Sequence, residues 1–304
     1  MYLFNTLSNK SRTVLLLGAS ALGSLVLTAP VMAADFTITS GTITNDGNTI
    51  NGNDSVTVTG ALVTTGGNKG IDTTGGTNTV SVSEAGSIET AGGSSADGIV
   101  NYGDSNTTTV SGSIKTGDRG LGIFNDGNDN TTTISGSIET TGLFGYGIEN
   151  DGAYNTTTVS GNIVTRGADG HGIFNQGDDN KTTLSGSITT TGASSYGIVN
   201  YGDSNTTTVS GSINTAGGLS AGIFNYGDDN VTTISGTVKA TGTKSAALYN
   251  KSGSGNSFTL NEGATIIGDI LARDATNNAF DATNSKLIFN LGASTSYAYS
   301  VSGK

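Results

Sequence analysis

Residues 122–142 read Gly122-Ile-Phe-Asn-Asp-Gly-Asn-Asp-Asn-Thr-Thr-Thr-Ile-Ser-Gly-Ser-Ile-Glu-Thr-Thr-Gly142, and variants of this unit recur along most of the chain. The Gly-Ile pair that opens the unit begins at Gly98, Gly122, Gly147, Gly172, Gly197 and Gly222, and Ala247-Leu248 takes the same place afterwards. The first step is 24 residues and each later step is 25. Self-similarity at a fixed period of this length is the sequence signature of a solenoid.

Each unit contains three short runs in which apolar or β-branched residues occupy every second position. Gly, Asn and Asp separate these runs, and these residue types tolerate turn geometry. No helical periodicity extends beyond a turn or two. A short strand cannot bury its apolar side alone, but stacked units place Ile upon Ile and close a continuous core. The sequence therefore predicts an all-β fold, a right-handed parallel β-helix with three strands in each coil of about 25 residues.

The composition excludes several kinds of chemistry. The chain of 304 residues has 48 Gly, 1 Pro, 0 Cys and 1 His, and its formal net charge is -11. The absence of Cys excludes disulfides, thiolate zinc sites and cysteine nucleophiles. The acidic balance argues against nucleic acid as a partner. We expect no catalytic residues, no metal site and no cofactor, and hence a protein that is not an enzyme. His171 is interpreted as a variant of one repeat position, and the Asp residues of the turns as solvated carboxylates rather than calcium ligands.

The pattern divides the chain into four segments. Residues 1–33 are predicted to be a cleaved signal peptide, because Lys10 and Arg12 precede an apolar stretch that ends in small residues. Residues 34–97 are predicted to form irregular N-terminal coils, and residues 98–256 the regular 25-residue repeats. Residues 257–304 are predicted to form cap or junction strands, among them residues 286–291 and 294–301.

Two columns of repeat residues are candidates for a role. Asn at the corner of each coil points inward and is expected to form a structural ladder of amides: Asn101, Asn125, Asn150, Asn175, Asn200, Asn225 and Asn250. The residue before each of these Asn points outward and is the candidate binding column, interrupted by Glu149: Val100, Phe124, Phe174, Val199, Phe224 and Tyr249. Exposed apolar columns commonly mark an interaction surface. The alternative is that neighbouring residues cover this column.

The motif Asn-Thr-Thr-Thr-Val-Ser-Gly-Ser-Ile at residues 106–114, alternating with Gly-Ile-Phe-Asn at residues 122–125, resembles the passenger regions of Gram-negative autotransporters. The resemblance implies a secreted or cell-surface protein at the outer membrane, acting as an adhesin. It also implies an outer-membrane translocator β-barrel as partner. No sequence after Asn256 matches such a barrel, so we expect it in a longer reading frame or in a separate protein.

The ligand implied by the resemblance is a glycan or a protein on a surface. Two alternatives to an adhesin remain. One is a structural stalk or surface-layer component. The other is an ice-binding β-solenoid, suggested by the outward Thr rows that include Thr107, Thr109, Thr131 and Thr133.

Overall fold

The computed structural model describes residues 36–39, 41–42, 48–51, 54–93, 95–272 and 285–290. All of the strands in these ranges belong to three parallel sheets of 11, 10 and 10 strands, and each coil contributes one strand to each sheet. This architecture confirms the predicted parallel β-helix with three-strand coils. The predicted signal peptide and the predicted strand at residues 294–301 lie outside the described residues.

Every third strand belongs to the same sheet. Sheet 1 contains β1 Phe36–Ile38, β4 Ser55–Val58, β7 Thr79–Val82, β10 Thr107–Val110, β13 Thr131–Ile134, β16 Thr156–Val159, β19 Lys181–Leu184, β22 Thr206–Val209, β25 Val231–Ile234, β28 Ser257–Asn261 and β31 Lys286–Asn290. Sheet 2 contains β2 Gly41–Thr42, β5 Ala61–Thr65, β8 Ser87–Ala91, β11 Ser113–Thr116, β14 Ser137–Thr140, β17 Asn162–Thr165, β20 Ser187–Thr190, β23 Ser212–Thr215, β26 Thr237–Ala240 and β29 Thr265–Ile267. Sheet 3 contains β3 Asn48–Asn51, β6 Ile71–Thr74, β9 Ile99–Tyr102, β12 Ile123–Asn125, β15 Ile148–Asn150, β18 Ile173–Asn175, β21 Ile198–Asn200, β24 Ala221–Asn225, β27 Ala246–Asn250 and β30 Asp269–Ala272.

The register of the sheets follows the sequence repeat. Ile148 pairs with Ile123 in the coil before and with Ile173 in the coil after, so equivalent residues stack directly on one another. The first coils are less regular, because Phe36 pairs with Val56, 20 residues away, and Thr79 with Thr107, 28 residues away. Beyond Asn256, β28, β29 and β30 add to the same three sheets. Strand β31, expected as part of a cap, also pairs in parallel with β28 and so continues sheet 1.

The core is a stack of aliphatic side chains from all three sheets. Ile123, Ile134 and Ile138, which come from one coil, are fully buried and belong to the same apolar cluster as their equivalents in the other coils. Burial of an aliphatic side chain of this size contributes about 2 kcal/mol relative to leaving it exposed. In the described ranges, no helix is long and apolar enough to cross a lipid bilayer.

The corner Asn residues form a hydrogen-bonded column inside the helix. Asn125 Nδ2 donates to Asn150 Oδ1 at 2.7 Å and to Thr132 Oγ1 at 3.1 Å. The same Asn-to-Asn bond links each neighbouring pair from Asn101 to Asn250. Because these residues are buried, the ladder satisfies amides that would otherwise be costly to desolvate. The structure thus places the predicted Asn column where a ladder can form.

Candidate binding face

The outer face of sheet 3 carries most of the aromatic side chains of the regular coils. Three columns run side by side along it, and together they are called the aromatic face. The leading column consists of Asp97, Leu121, Tyr146, His171 and Tyr196. The middle column consists of Asp72, Val100, Phe124, Glu149, Phe174, Val199, Phe224 and Tyr249. The trailing column consists of Tyr102, Asp126, Asp151, Gln176, Tyr201, Tyr226 and Lys251.

The rings of the aromatic face contact one another along and across the columns. His171 is stacked between Tyr146 and Tyr196, with ring centroids 4.8 and 4.9 Å apart. Tyr201 and Tyr226 stack at 4.6 Å with nearly parallel planes. The ring of Phe174 meets Tyr146 edge to face at 5.4 Å. Such aromatic pairs are each worth about 1 kcal/mol beyond the area they bury, so the face is a rigid, preformed surface.

The middle column is less exposed than its outward direction suggests. Val100 and Val199 are buried, Phe224 is only 5% exposed, and Phe124, Phe174 and Tyr249 are half-buried. The ring of Tyr196 covers Phe224, because the two rings stack at 4.7 Å. This outcome corresponds to the alternative in which neighbouring residues cover the column. The rings that face solvent belong to the trailing column, where Tyr102 is 37% and Tyr201 47% exposed.

Glu149 and Asp97 of the aromatic face ionise with difficulty. Glu149 lies between Phe124 and Phe174 in the middle column. Burial raises the pKa of Glu149 to about 7, and the charges of Asp151, Asp97 and Asp126 add to the rise. Burial likewise raises the pKa of Asp97 to about 6, although a hydrogen bond from the Leu121 backbone N–H and the charge of Lys69 oppose the shift. The face therefore gathers carboxylates that would be stabilised by a nearby positive charge.

His171 is held as a neutral imidazole. Burial between two tyrosines lowers the pKa of His171 to about 4. Its Nδ1 accepts a hydrogen bond from the backbone N–H of Tyr196 at 3.1 Å. The acceptor nitrogen of His171 is thus occupied, and its ring is stacked on both faces. The side chain therefore serves packing. This placement agrees with its interpretation as a repeat variant, since Tyr146 and Tyr196 hold the same position.

The variant His171→Tyr is expected to resist acid better than the wild type. The pKa of His171 falls from 6.5 in the unfolded chain to about 4 in the folded protein. The unfolded state therefore takes up the proton first as the pH drops, and stability is lost between these two values. Between pH 8 and pH 5 the wild type should lose about 2 kcal/mol more unfolding free energy than the variant. Urea denaturation at the two pH values measures this difference, and equal losses in both proteins would contradict the prediction.

The chain's own lysines contact the aromatic face at its two ends. The Nζ of Lys69 lies 4.4 Å from the centroid of the Tyr102 ring and donates a hydrogen bond to the Tyr102 hydroxyl at 2.7 Å. The same Nζ is 3.5 Å from a carboxylate oxygen of Asp72. At the other end, Lys251 Nζ lies 5.5 Å from the centroid of the Tyr226 ring. Ammonium groups thus bind to this face within the molecule.

The other outer surfaces differ in chemistry. Sheet 1 presents Thr rows, and Thr109, Thr133 and Thr158 occupy equivalent, partly exposed positions in successive coils. In the turns, Oδ1 of Asp178 accepts the backbone N–H of Asp203, and Oδ1 of Asp203 accepts that of Asp228. These turn carboxylates therefore link successive coils in addition to facing solvent. Among the described residues, no group of three or more His, Cys, Asp or Glu side chains is arranged to hold a metal ion.

The aromatic face combines rigid tyrosine stacks, exposed hydroxyls and partly desolvated carboxylates on one side of a long rod. No protein-family profile matches this sequence, and no curated protein or solved structure is significantly similar to it. A surface of this kind suits the binding of an extended ligand better than catalysis in a pocket.

Proposed function

We propose that this protein is an exported, adhesin-like rod of the autotransporter passenger type that binds cell-surface or extracellular ligands through its aromatic face. The observation that carries the proposal is the concentration of aromatic rings on the outer face of one sheet. The trailing column leaves Tyr102 and Tyr201 substantially exposed. Tyrosine combines an apolar ring with a hydroxyl and is enriched at protein interfaces.

The repeat supports binding by many weak contacts. Successive coils place equivalent side chains about 4.8 Å apart along the axis of the rod. A long ligand can contact several coils at once, and linked weak contacts raise the overall affinity well above that of one contact. This mode of binding needs no deep pocket. It fits a rod better than a compact enzyme.

The place of the rod in the cell is part of the same proposal. A signal peptide at residues 1–33 directs the chain to the secretory pathway. An outer-membrane translocator β-barrel, in a longer frame or a separate protein, carries the rod to the surface. The rod is then secreted or displayed at the surface of a Gram-negative cell. These statements rest on the sequence resemblance and on the compatibility of the β-helix with it.

The proposal is tested with the purified rod on an array of glycans and extracellular proteins. We expect the wild type to bind a subset of the array and the double variant Tyr201→Ser/Tyr226→Ser to lose roughly tenfold in affinity. The matched control is Tyr154→Ser, which removes a tyrosine that is 60% exposed in a turn outside the aromatic face. Its binding should equal that of the wild type.

Three results would contradict the proposal. If the double variant binds as the wild type does, the aromatic face is not the binding surface. If no probe on the array or on intact cells binds, a structural stalk or surface-layer role is the better account. If the rod shows thermal hysteresis that is lost when Thr133 and Thr158 are replaced, the Thr rows of sheet 1 serve ice binding instead.

A further inference from the structure

We infer that the ligand of the aromatic face is a basic polypeptide segment, whose ammonium or guanidinium groups lie between tyrosine hydroxyls and carboxylates as Lys69 does between Tyr102 and Asp72. The inference rests on the proposed function and names the chemical class of the ligand. It is carried by three observations: the internal lysine contacts, the carboxylates gathered around Glu149, and the stacking of the rings.

The internal contacts show how the face holds a cation. The ammonium group of Lys69 contacts the ring face of Tyr102, the hydroxyl of Tyr102 and the carboxylate of Asp72. A cation over a tyrosine ring gains about 0.5–2 kcal/mol, more where it is desolvated. Lys251 occupies the Tyr226 ring in a similar way at the far end. Both ends of the face are therefore already occupied by basic side chains of the protein itself.

Among the described residues, Glu149 in the middle of the face has no cation beside it comparable to Lys69, whereas the charge of Lys69 acts on Asp97 and Asp126. The charges that act on the pKa of Glu149 are all negative, from Asp151, Asp97 and Asp126. The two ion pairs Lys115–Glu89 and Arg166–Glu139 lie on sheet 2, away from this face. His171, with a pKa of about 4, is neutral in the range where Glu149 and Asp97 ionise, since their pKa values are about 7 and about 6. A basic ligand would complement this negative charge. The net charge of -11 on the whole chain also favours the approach of a basic ligand.

The ring geometry distinguishes a basic peptide from a neutral sugar chain. Sugars bind flat against the open face of an aromatic ring. Both faces of His171 are covered, by Tyr146 and Tyr196, and Tyr201 and Tyr226 each cover one face of the other. Tyrosine hydroxyl oxygens accept hydrogen bonds from donors such as ammonium and guanidinium groups, as the Tyr102 hydroxyl does from Lys69.

The length of the face sets the size of the segment. From Asp97 to Tyr226 the face crosses five coil steps, which correspond to about 24 Å at 4.8 Å per step. An extended polypeptide of about seven residues covers this distance. A basic side chain at every second position would lie on the side of the peptide that faces the carboxylates. The segment can therefore meet Asp97, Asp126, Glu149 and Asp151 in one binding event.

Binding should depend on pH in a defined direction. A cation favours the ionised carboxylate, so the affinity rises as the groups with pKa values of about 6 and about 7 lose their protons. The groups that face Glu149 are the carboxylates of Asp97, Asp126 and Asp151 and the phenol of Tyr146, and Asp97 also faces Lys69 and Asp72. Burial raises the pKa of Tyr146 to about 12, so this phenol does not ionise in the same range. The affinity should therefore increase between pH 5 and pH 8.

The test measures binding of a fluorescein-labelled nonapeptide of alternating Lys and Ala by fluorescence anisotropy in about 150 mM salt, where long-range attraction is screened. The test variant is Asp126→Asn/Glu149→Gln/Asp151→Asn, which removes three carboxyl groups from the aromatic face. The matched control is Asp178→Asn/Asp203→Asn/Asp228→Asn, which removes three charges from the turns. The Asn side chains in the control keep the Oδ1 atom that accepts a backbone N–H. Asn128 holds the same repeat position and accepts the backbone N–H of Ala153 in this way. Thermal unfolding verifies that both proteins fold.

We expect the face variant to lose at least roughly tenfold in affinity and the turn variant to stay within about twofold of the wild type. Equal losses in both would show attraction by net charge alone and would overturn the inference. It would also be overturned if a neutral oligosaccharide binds to the face while the peptide does not. In that case the tyrosine variants of the array experiment would still lose binding, and the proposed function would stand without this ligand class.

Discussion

Replacing Gly172 by Ala is expected to lower the free energy of unfolding by about 3 kcal/mol or more. A Cβ atom at this position would lie 2.4 Å from Cγ2 of Ile188 in the core and 2.5 Å from the carbonyl oxygen of Gly197 in the next coil. Neither neighbour can move far. The N–H of Gly172 is bonded to the Tyr196 carbonyl, and the N–H of Ile173 to the Gly197 carbonyl. The added methyl group must therefore separate two coils that are hydrogen-bonded at this point.

Equilibrium denaturation in guanidinium chloride measures the effect. The matched control is Ala247→Gly, because Ala247 holds the same repeat position in a later coil. A methyl group is tolerated there, where the pairing of β27 with β30 shifts register between Ala246 and Leu248. The control should lower the free energy of unfolding by about 1 kcal/mol, because Gly has a larger backbone entropy cost than Ala and a little packing is lost. A loss for Gly172→Ala no greater than that of the control would contradict the close spacing of the coils.

Replacing Glu149 by Gln is expected to stabilise the protein by about 3 kcal/mol at pH 8 and to have little effect near pH 4. The pKa of Glu149 rises from 4.5 in the unfolded chain to about 7 in the folded protein. Between these values the folded state holds a proton that the unfolded state has lost, so the stability of the wild type falls as the pH rises. The neutral Gln side chain has a similar volume and removes this dependence.

Thermal or urea unfolding at pH 4, 6 and 8 provides the measurement. Glu139→Gln is the matched control, since Glu139 lies on the solvent side of sheet 2 beside Arg166. An exposed ion pair of this kind contributes less than about 1 kcal/mol. A constant difference between Glu149→Gln and the wild type across this pH range would show that the carboxylate is not desolvated. A stabilised but weakly binding Glu149→Gln protein would be the usual exchange of stability for function at a binding site.

The sequence predicts the coils well because the sequence repeat and the coil have the same length of about 25 residues. Once Ile123 must stack on Ile148, the parallel pairing and the three-strand coil follow from the 25-residue spacing. The inward direction of Asn125 follows from the same alternation, and a buried amide needs a partner that only the next coil supplies. These features depend on contacts between equivalent residues. The repeat pattern therefore contains the information for them.

The exposure of the aromatic face could not be predicted in the same way. Alternation along a strand gives the direction of Phe224, but its cover comes from Tyr196, which precedes strand β21 in the previous coil. The raised pKa of Glu149 likewise depends on carboxylates in other coils and on the rings around it. The sequence predicts that the middle column faces solvent, whereas in the structure the exposed rings are Tyr102 and Tyr201 of the trailing column. Such contacts join non-equivalent positions, which a repeat pattern does not specify.

The pairing of each coil only with its two neighbours makes the length of this protein adjustable. The pairing of Ile148 with Ile123 and Ile173 would be reproduced unchanged if one 25-residue unit were duplicated or deleted between them. The repeats share their Gly, Ile, Asn and Thr positions, so an added unit would find the same stacking partners. Each such event would add or remove one row of the aromatic face while leaving both ends intact. The length of the aromatic face along the rod can therefore change in steps of about 4.8 Å while the fold stays the same.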